Sequence, residues 1–328
     1  MARLPLRAGR PARGLAKTAT AGILVPVRIA HLSDLHLLSL EGAVPFRLLN
    51  KRITGYLNLR FHRNSVHKAF AVAAAARAIR KLGIDHVVIT GDVSNLALEV
   101  EFELVRRFLA DELGLPPEQV SLIPGNHDAY TAGAHRSRRF VRTFGAYLRS
   151  DLPELTVTGE MFPFVQLRGP AAIVGLSTAV PRPPLVASGA VGKLQMLALK
   201  RILAHPEVRD RTLVLLQHHP IHNATSLAQR KLEGLDDADE EIALLGGVKR
   251  GLVLHGHLHR RIHRRLRTQG GHLDAVGATS TSLLHPSDER MAGFNVYEID
   301  GDGAVKTIGS HRLDEDTQDF REVGIPRS

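Results

Sequence analysis

From Val27 onward, short β-rich runs alternate with amphipathic helical segments, and this alternation restricts the chain to very few architectures. The runs are Val27–Leu32, His86–Thr90, Val120–Ile123, Ala172–Leu176, Thr212–Leu216 and Gly251–Leu254. Helical periodicity fills the intervals, over roughly 65–82, 97–113, 135–149, 192–204 and 238–246. Strands separated by helices form βαβ units, which require a largely parallel sheet covered by helices. After about residue 260 the helices stop. The segments 261–267, 272–276, 293–299 and 304–309 read as strands of a closing antiparallel section, with Asp300-Gly301-Asp302-Gly303 as a turn between the last two.

A chain of 328 residues is long enough for about two domains or one large α/β domain. Its 44% hydrophobic content supplies a full core, yet no apolar run approaches the ~20 residues that span a bilayer. Cysteine is absent, which excludes disulfides, thiolate nucleophiles and Cys-based metal sites. The net charge of +10 is an N-terminal property, because residues 1–80 hold 14 Lys and Arg against only Asp34 and Glu41. Residues 1–22 read as a disordered basic arm, 23–310 as one catalytic domain, and 311–328 as a loosely ordered polar tail. The segment 44–63 interleaves Phe46, Leu49, Ile53, Tyr56, Leu57 and Phe61 with Arg47, Lys51, Arg52, Arg60 and Arg63. It is expected to be a lid over the domain, and its pattern makes an anionic membrane surface a candidate partner. A cytoplasmic protein, peripheral to the membrane if that segment binds lipid, is the expected location.

Chemistry-bearing residues follow the strands. The first run ends in Asp34-Leu35-His36, the second in Gly91-Asp92, and the third in Gly125-Asn126-His127-Asp128. A later run ends in His218-His219-Pro220, and the last in His255-Gly256-His257-Leu258-His259. Ligands of open α/β sheets bind beyond the carboxyl ends of the strands, so five strand ends deliver these residues to one rim. Two carboxylates, one amide oxygen and four imidazoles are too many for one ion and suit two ions that share a bridging carboxylate. Asp34 and His36, two residues apart, can chelate one ion. His257 and His259 have the same spacing and can each serve a different ion, and Asp92 is the natural bridge. Mixed nitrogen and oxygen donors fit two divalent or mixed-valence transition-metal ions (Mn, Fe, Zn, Ni or Co) better than Ca or Mg. Two such ions outweigh two carboxylates and a bridging hydroxide by about +1, which suits a phosphate better than a neutral amide.

D-x-H, G-D, G-N-H-D, an H-x-P-like element and G-H-x-H, in this order on successive strand ends, closely resemble the calcineurin-like metallophosphoesterase superfamily over about residues 27–310. The resemblance implies a four-layer α/β sandwich, two packed mixed sheets flanked by helices. It also implies a binuclear centre that hydrolyses a phosphodiester or related phosphoester by in-line attack of a metal-bridging hydroxide. Carried over residue by residue, it places Asp34, His36 and His259 on the first metal, Asp92 between the two, and Asn126, His218 and His257 on the second. The family ligand is the histidine two before proline, hence His218 rather than His219. His127 matches the histidine beside the phosphate, with Asp128 orienting it.

Other readings stay open at this point. A UDP-diacylglucosamine-type pyrophosphatase shares these motifs and acts at the membrane surface. Gly91-Asp92 with Glu101-Phe102 downstream also looks like the cyclic-nucleotide phosphodiesterase branch. A non-catalytic scaffold of the same fold is opposed by the completeness of the ligand set. No nucleic-acid module is recognisable, so no specific nucleic acid partner is expected. His255 is expected to be a satisfied buried histidine and His222 a solvated one. Arg260, Arg261, Arg264, Arg265 and Arg267 are expected to form a solvated sheet edge.

Overall fold

The computed structural model describes residues 24–38, 67–129, 133 and 136–327. The basic arm 1–22 and the segment 44–63 lie outside the described residues. Among the described residues, twelve strands form two six-stranded sheets. The first contains β1 (Val27–Leu32), β2 (His86–Thr90), β3 (Val120–Ile123), β10 (Gly293–Ile299), β11 (Val305–Leu313) and β12 (Phe320–Val323). Its spatial order is β12-β11-β10-β1-β2-β3. The second contains β4 (Phe164–Arg168), β5 (Ala171–Gly175), β6 (Thr212–Leu216), β7 (Arg250–His255), β8 (Ile262–Thr268) and β9 (Gly271–Gly277), in the order β4-β5-β6-β7-β9-β8. β1, β2 and β3 are mutually parallel, as are β5, β6, β7 and β9.

The period-two alternation of each strand builds the layers. In β6, Val214 and Leu216 join Ile29, Val88 and Ile123 of the first sheet in a core between the sheets. Leu213 and Leu215 point the other way, into a second core against Met196, Leu199 and Ile202 of the helix Lys193–Ala204. β7 divides in the same manner, Leu252 and Leu254 inward and Val253 outward. The helix Ala69–Lys81 lays Val72, Ala75, Ala76 and Ile79 on the first sheet at helical spacing. The result is helix, sheet, sheet, helix: the four-layer α/β sandwich with two mixed sheets.

Some expectations change. The segment after residue 260 is not one antiparallel unit. β9 pairs parallel with β7, β8 covers its edge, and β10 to β12 cross to the first sheet beside β1. Residues 311–328 are not a loose tail either. β11 runs to Leu313, β12 pairs with it, and the Phe320 ring lies 5.1 Å from that of Phe294. Of the arginine cluster, Arg265 and Arg267 are exposed on edge strand β8, but Arg261 is buried, its Nε donating to Ser310 Oγ at 2.7 Å. His222 is half-buried rather than solvated, and burial followed by the Arg264 charge lowers its proton affinity.

One buried carboxyl sets a pH dependence. Glu241, on the helix Ala238–Leu245, is fully buried, with the Gln217 side chain beside its carboxyl group. Burial, then the Asp237 charge, pushes its pKa up to about 8 from the ordinary 4.5. Between those values the folded chain keeps a proton that the unfolded chain releases. The stabilisation is therefore complete below the unfolded pKa and is lost as pH rises through the folded one, at no more than about 1.4 kcal/mol per pH unit. Urea unfolding of the metal-free protein should show the wild type losing stability relative to Glu241→Gln from pH 5 to pH 8. Parallel pH curves for the two would contradict this reading.

Candidate metal centre

The carboxyl ends of β1, β2, β3, β6 and β7 meet on one rim, pinned by their own backbones. Asp34 N donates to Gly91 O and His36 N to Asp92 O, both at 3.0 Å, and Gly256 N donates to His218 O at 3.1 Å. Asp34, His36, Asp92, His257 and His259 all have positive φ, between 44° and 66°. Side chains other than glycine avoid this region at a cost of about 1–3 kcal/mol each, and such outliers cluster at functional sites. The glycines are demanded by contact. A Cβ on Gly256 would strike Ser33 Oγ and Asp34 Oδ2, and one on Gly125 would strike Asp92 Oδ1. Asp34, His36, Asp92 and His218 form a buried floor, while Asn126, His127, His257 and His259 are half-buried at the mouth.

Two groups of donors lie on either side of Asp92. On the first side, His36 Nε2 lies 3.2 Å from His259 Nε2 and 3.9 Å from Asp34 Oδ1, and His259 Nε2 lies 3.1 Å from Asp34 Oδ1. Asp34 Oδ1 is buried and receives no hydrogen bond of acceptable geometry. One donor atom each from Asp34, His36 and Asp92 lies within 4.8 Å of the others. On the second side, Asn126 Oδ1 lies 3.0 Å from His218 Nε2 and 3.1 Å from His257 Nδ1, and Asp92 Oδ2 lies 3.3 Å from His218 Nε2.

The outer nitrogens of these rings fix their tautomers. His218 Nδ1 lies 2.7 Å from Thr90 O, and His257 Nε2 lies 3.0 Å from Glu233 O. A carbonyl only accepts, so each of those nitrogens carries the proton and, in the neutral ring, the other nitrogen presents a lone pair. Two imidazole lone pairs then face the carbonyl oxygen of Asn126, with a carboxylate beside them. Acceptors crowded in this way need a cation among them, and the donor set fits a transition-metal ion on each side. Burial, then the His67 charge, holds His36 well below the ordinary imidazole pKa, and burial with the His218 charge holds His257 at about 3. Burial opposes charge on His218 as well, but Asp92 with Asp34 outweighs it and raises its pKa to about 9. In the metal-free protein that proton stands where a cation would.

His127 and Asp128 depart from expectation. His127 Nδ1 lies 2.8 Å from Asn95 O and therefore carries a proton, and its Nε2 points to Asp92 Oδ2 at 4.0 Å. Asp128 turns its carboxylate to the loop backbone instead of the His127 ring. It accepts from Gly125 N, Val93 N, Ser94 N and Ser94 Oγ at 2.7–3.2 Å. Burial and the Asp92 charge raise its proton affinity against those donors. Asn95 is thus the orienting residue that the sequence did not reveal, and its Nδ2 also donates to His36 O at 2.7 Å. His219 faces away, with ring nitrogens 2.8 Å from Thr178 Oγ1 and from Ala187 O. His255 is buried, its Nδ1 3.2 Å from Gly256 O. A residue absent from the sequence reading also stands at the rim: His67, whose ring centroid is 4.7 Å from that of His36 and 5.8 Å from that of His259.

No curated protein matches the chain. Among solved structures, it is similar to the purple acid phosphatase PPD1 of yellow lupin (Lupinus luteus) seeds, with a TM-score of 0.57 and 11% identity, covering 92% of this chain and 54% of that one. The chain thus spans about half the length of the lupin protein. It is also similar to a dimetal phosphatase of Danio rerio, with a TM-score of 0.54 and 13% identity, covering 92% of this chain and 99% of the other. Both likenesses concern the fold. The model of the calcineurin-like phosphoesterases matches residues 27–261, the span that carries every strand-end motif described above. The chain therefore belongs to the calcineurin-like phosphoesterase family, hydrolases built around a binuclear metal centre.

Proposed function

We propose that the chain is a metal-dependent phosphodiesterase in which Asp34, His36 and His259 hold one ion, Asn126, His218 and His257 hold a second, and Asp92 bridges them. The observation that carries this reading is the meeting of His218 Nε2, His257 Nδ1 and Asn126 Oδ1 through 3.0–3.1 Å contacts on one side of Asp92, opposite Asp34 Oδ1, His36 Nε2 and His259 Nε2 on the other. The ions, when bound, polarise a phosphoryl oxygen and make water acidic. The remaining chemistry belongs to the side chains. Asp92 holds the Asn126-His127 turn in place by accepting from His127 N at 2.8 Å. Asn95 O fixes the His127 ring with Nδ1 protonated, so Nε2 faces the reacting phosphoryl group. In the doubly protonated ring Nε2–H gives its proton to the departing oxygen, leaving the neutral Nδ1–H ring, or stabilises the charge there. The candidate ligands include two carboxylates and no Lys or Arg, so a metal-loaded site retains a modest positive charge. A diester monoanion matches that charge, whereas a monoester dianion calls for further cationic groups. Turnover of the metal-loaded protein on bis-nitrophenyl phosphate, nitrophenyl phosphate, cyclic nucleotides and nucleotide–lipid pyrophosphates tests this. Diester cleavage should exceed monoester cleavage, and the reverse order would sink the diester reading.

A lipid-linked pyrophosphate is the second reading, favoured by one surface feature. Leu185, Leu227 and Leu232 are exposed, at 83%, 74% and 45%. Ala187 N donates to Leu232 O, and Glu233 O accepts from His257, which sets these leucines beside the candidate site. Preference for the nucleotide–lipid member of the panel supports this reading, and failure to cleave it removes the reading.

A further inference from the structure

We propose that His67 is a third imidazole ligand of the Asp34-side pocket, completing a set with His36 and His259. The assignment rests on the reading of that pocket as one of two metal sites. His67 precedes the helix Ala69–Lys81 and is pinned across the rim, with Lys68 N donating to Ser282 O at 2.8 Å and an antiparallel bridge between His67 and Leu283. One ring nitrogen each from His36, His67 and His259 lies within 4.8 Å of the others. Two donors on one ion stand at most about 4.2 Å apart, twice a zinc–nitrogen bond, so a small shift of one ring closes the set.

The hydroxyls behind His67 decide which nitrogen faces inward. Ser280 Oγ lies 2.6 Å from Asp34 O, a carbonyl, so Ser280 gives its proton there. The proton of Ser282 has two acceptors on that side, Ser280 Oγ at 3.2 Å and Asp34 O at 3.5 Å. With its own proton directed there, Ser282 Oγ accepts from His67 Nδ1, at 2.7 Å. Protons thus run from His67 through Ser282, directly or by way of Ser280, to the backbone oxygen of Asp34, and His67 presents Nε2 as its lone-pair nitrogen. The same outer-nitrogen arrangement fixes His218 and His257, where the acceptors are backbone carbonyls. His67 has no strand-end glycine and does not belong to the D-x-H, G-D, G-N-H-D or G-H-x-H elements. A third imidazole gives the Asp34-side pocket more nitrogen donors than a pocket with two, and so selects Zn, Ni, Co or Fe over Mn at that position.

The test is metal binding to the full chain, followed by titration with zinc and by the visible spectrum of the cobalt-loaded protein. The wild type should take up two ions. His67→Ala should weaken one of them at least ~10-fold, leave the other unchanged, and shift the cobalt bands. Ser282→Ala should weaken the same ion by a smaller factor, because only the ring's orientation is lost. Paired with His36→Ala, the His67 effect should be non-additive; paired with His257→Ala, it should be additive. Circular dichroism and melting of the metal-free variants separate unfolding from ligand loss, and His67→Gln serves if the alanine variant does not fold. Two ions with unchanged affinity and an unchanged cobalt spectrum in the folded His67 variants would overturn the assignment while leaving the two-metal reading intact. Fewer than two ions on the wild type would overturn both.

Discussion

Asp92→Asn should cost the protein metal and turnover together. The carboxylate lies between the two donor groups, 3.3 Å from His218 Nε2 on one side and within 4.8 Å of the Asp34 and His36 donors on the other. Burial opposes its charge, and His218 with the neighbouring imidazoles overcomes that opposition, holding its pKa well below the ordinary carboxylate value. An amide keeps the shape and can keep the acceptor for His127 N, so the fold should survive. It cannot supply the negative charge that lets two cations sit about 3.5–4 Å apart. Metal content should fall below two per chain, and turnover by about 10²–10³-fold, the several kcal/mol expected of metal polarisation at 1.36 kcal/mol per decade. Elemental analysis and steady-state kinetics on one preparation check both. A folded variant with full metal and full turnover would remove Asp92 as the bridge.

His127→Ala should separate chemistry from metal binding. The ring is not among the acceptors that face one another across the site, and its Nδ1 is spent on Asn95 O. Both ions should therefore remain. kcat should drop by about 10²–10⁴-fold on an alkyl diester, whose leaving oxygen needs a proton. The loss should shrink on a nitrophenyl diester, whose leaving group departs as an anion. Asn95 acts through its backbone carbonyl, so replacing its side chain should disturb His36 rather than His127. An equal loss on both diesters would assign His127 to charge stabilisation alone.

The parts of this site written in consecutive residues were legible in the sequence. Gly91-Asp92, Gly125-Asn126-His127-Asp128 and Gly256-His257 each follow a run of β-branched and aliphatic residues, and the glycine marks where a neighbouring strand end presses on the backbone. What depends on distant contacts was not. His67 and Ser282 are 215 positions apart, and nothing local to either one announces the pairing. Adjacency misled at Asp128. Its carboxylate follows the turn inward to Ser94 and Gly125, and a backbone oxygen of Asn95 takes the place expected for it. In the fold, β12 reads Phe-Arg-Glu-Val, an edge strand whose polar residues are exposed, so its apolar signal is too weak to mark it. The helix Leu227–Glu233 buries no residue at all and so lacks the stripe that identified the others. β5, β6 and β7 were found because both of their faces are covered and they read as nearly continuous apolar runs, whereas β4, Phe-Val-Gln-Leu-Arg, was not found.

A two-ion phosphoesterase centre assembled from these strand ends makes activity depend on the number of metal equivalents bound. Chelator-stripped protein is titrated with manganese or zinc while diester hydrolysis is followed. A two-ion centre should give no turnover without metal, little with the first equivalent, and a rise to a plateau as the second binds, with two ions per chain by elemental analysis. Full activity in the stripped protein, or a plateau at one ion per chain, would contradict it.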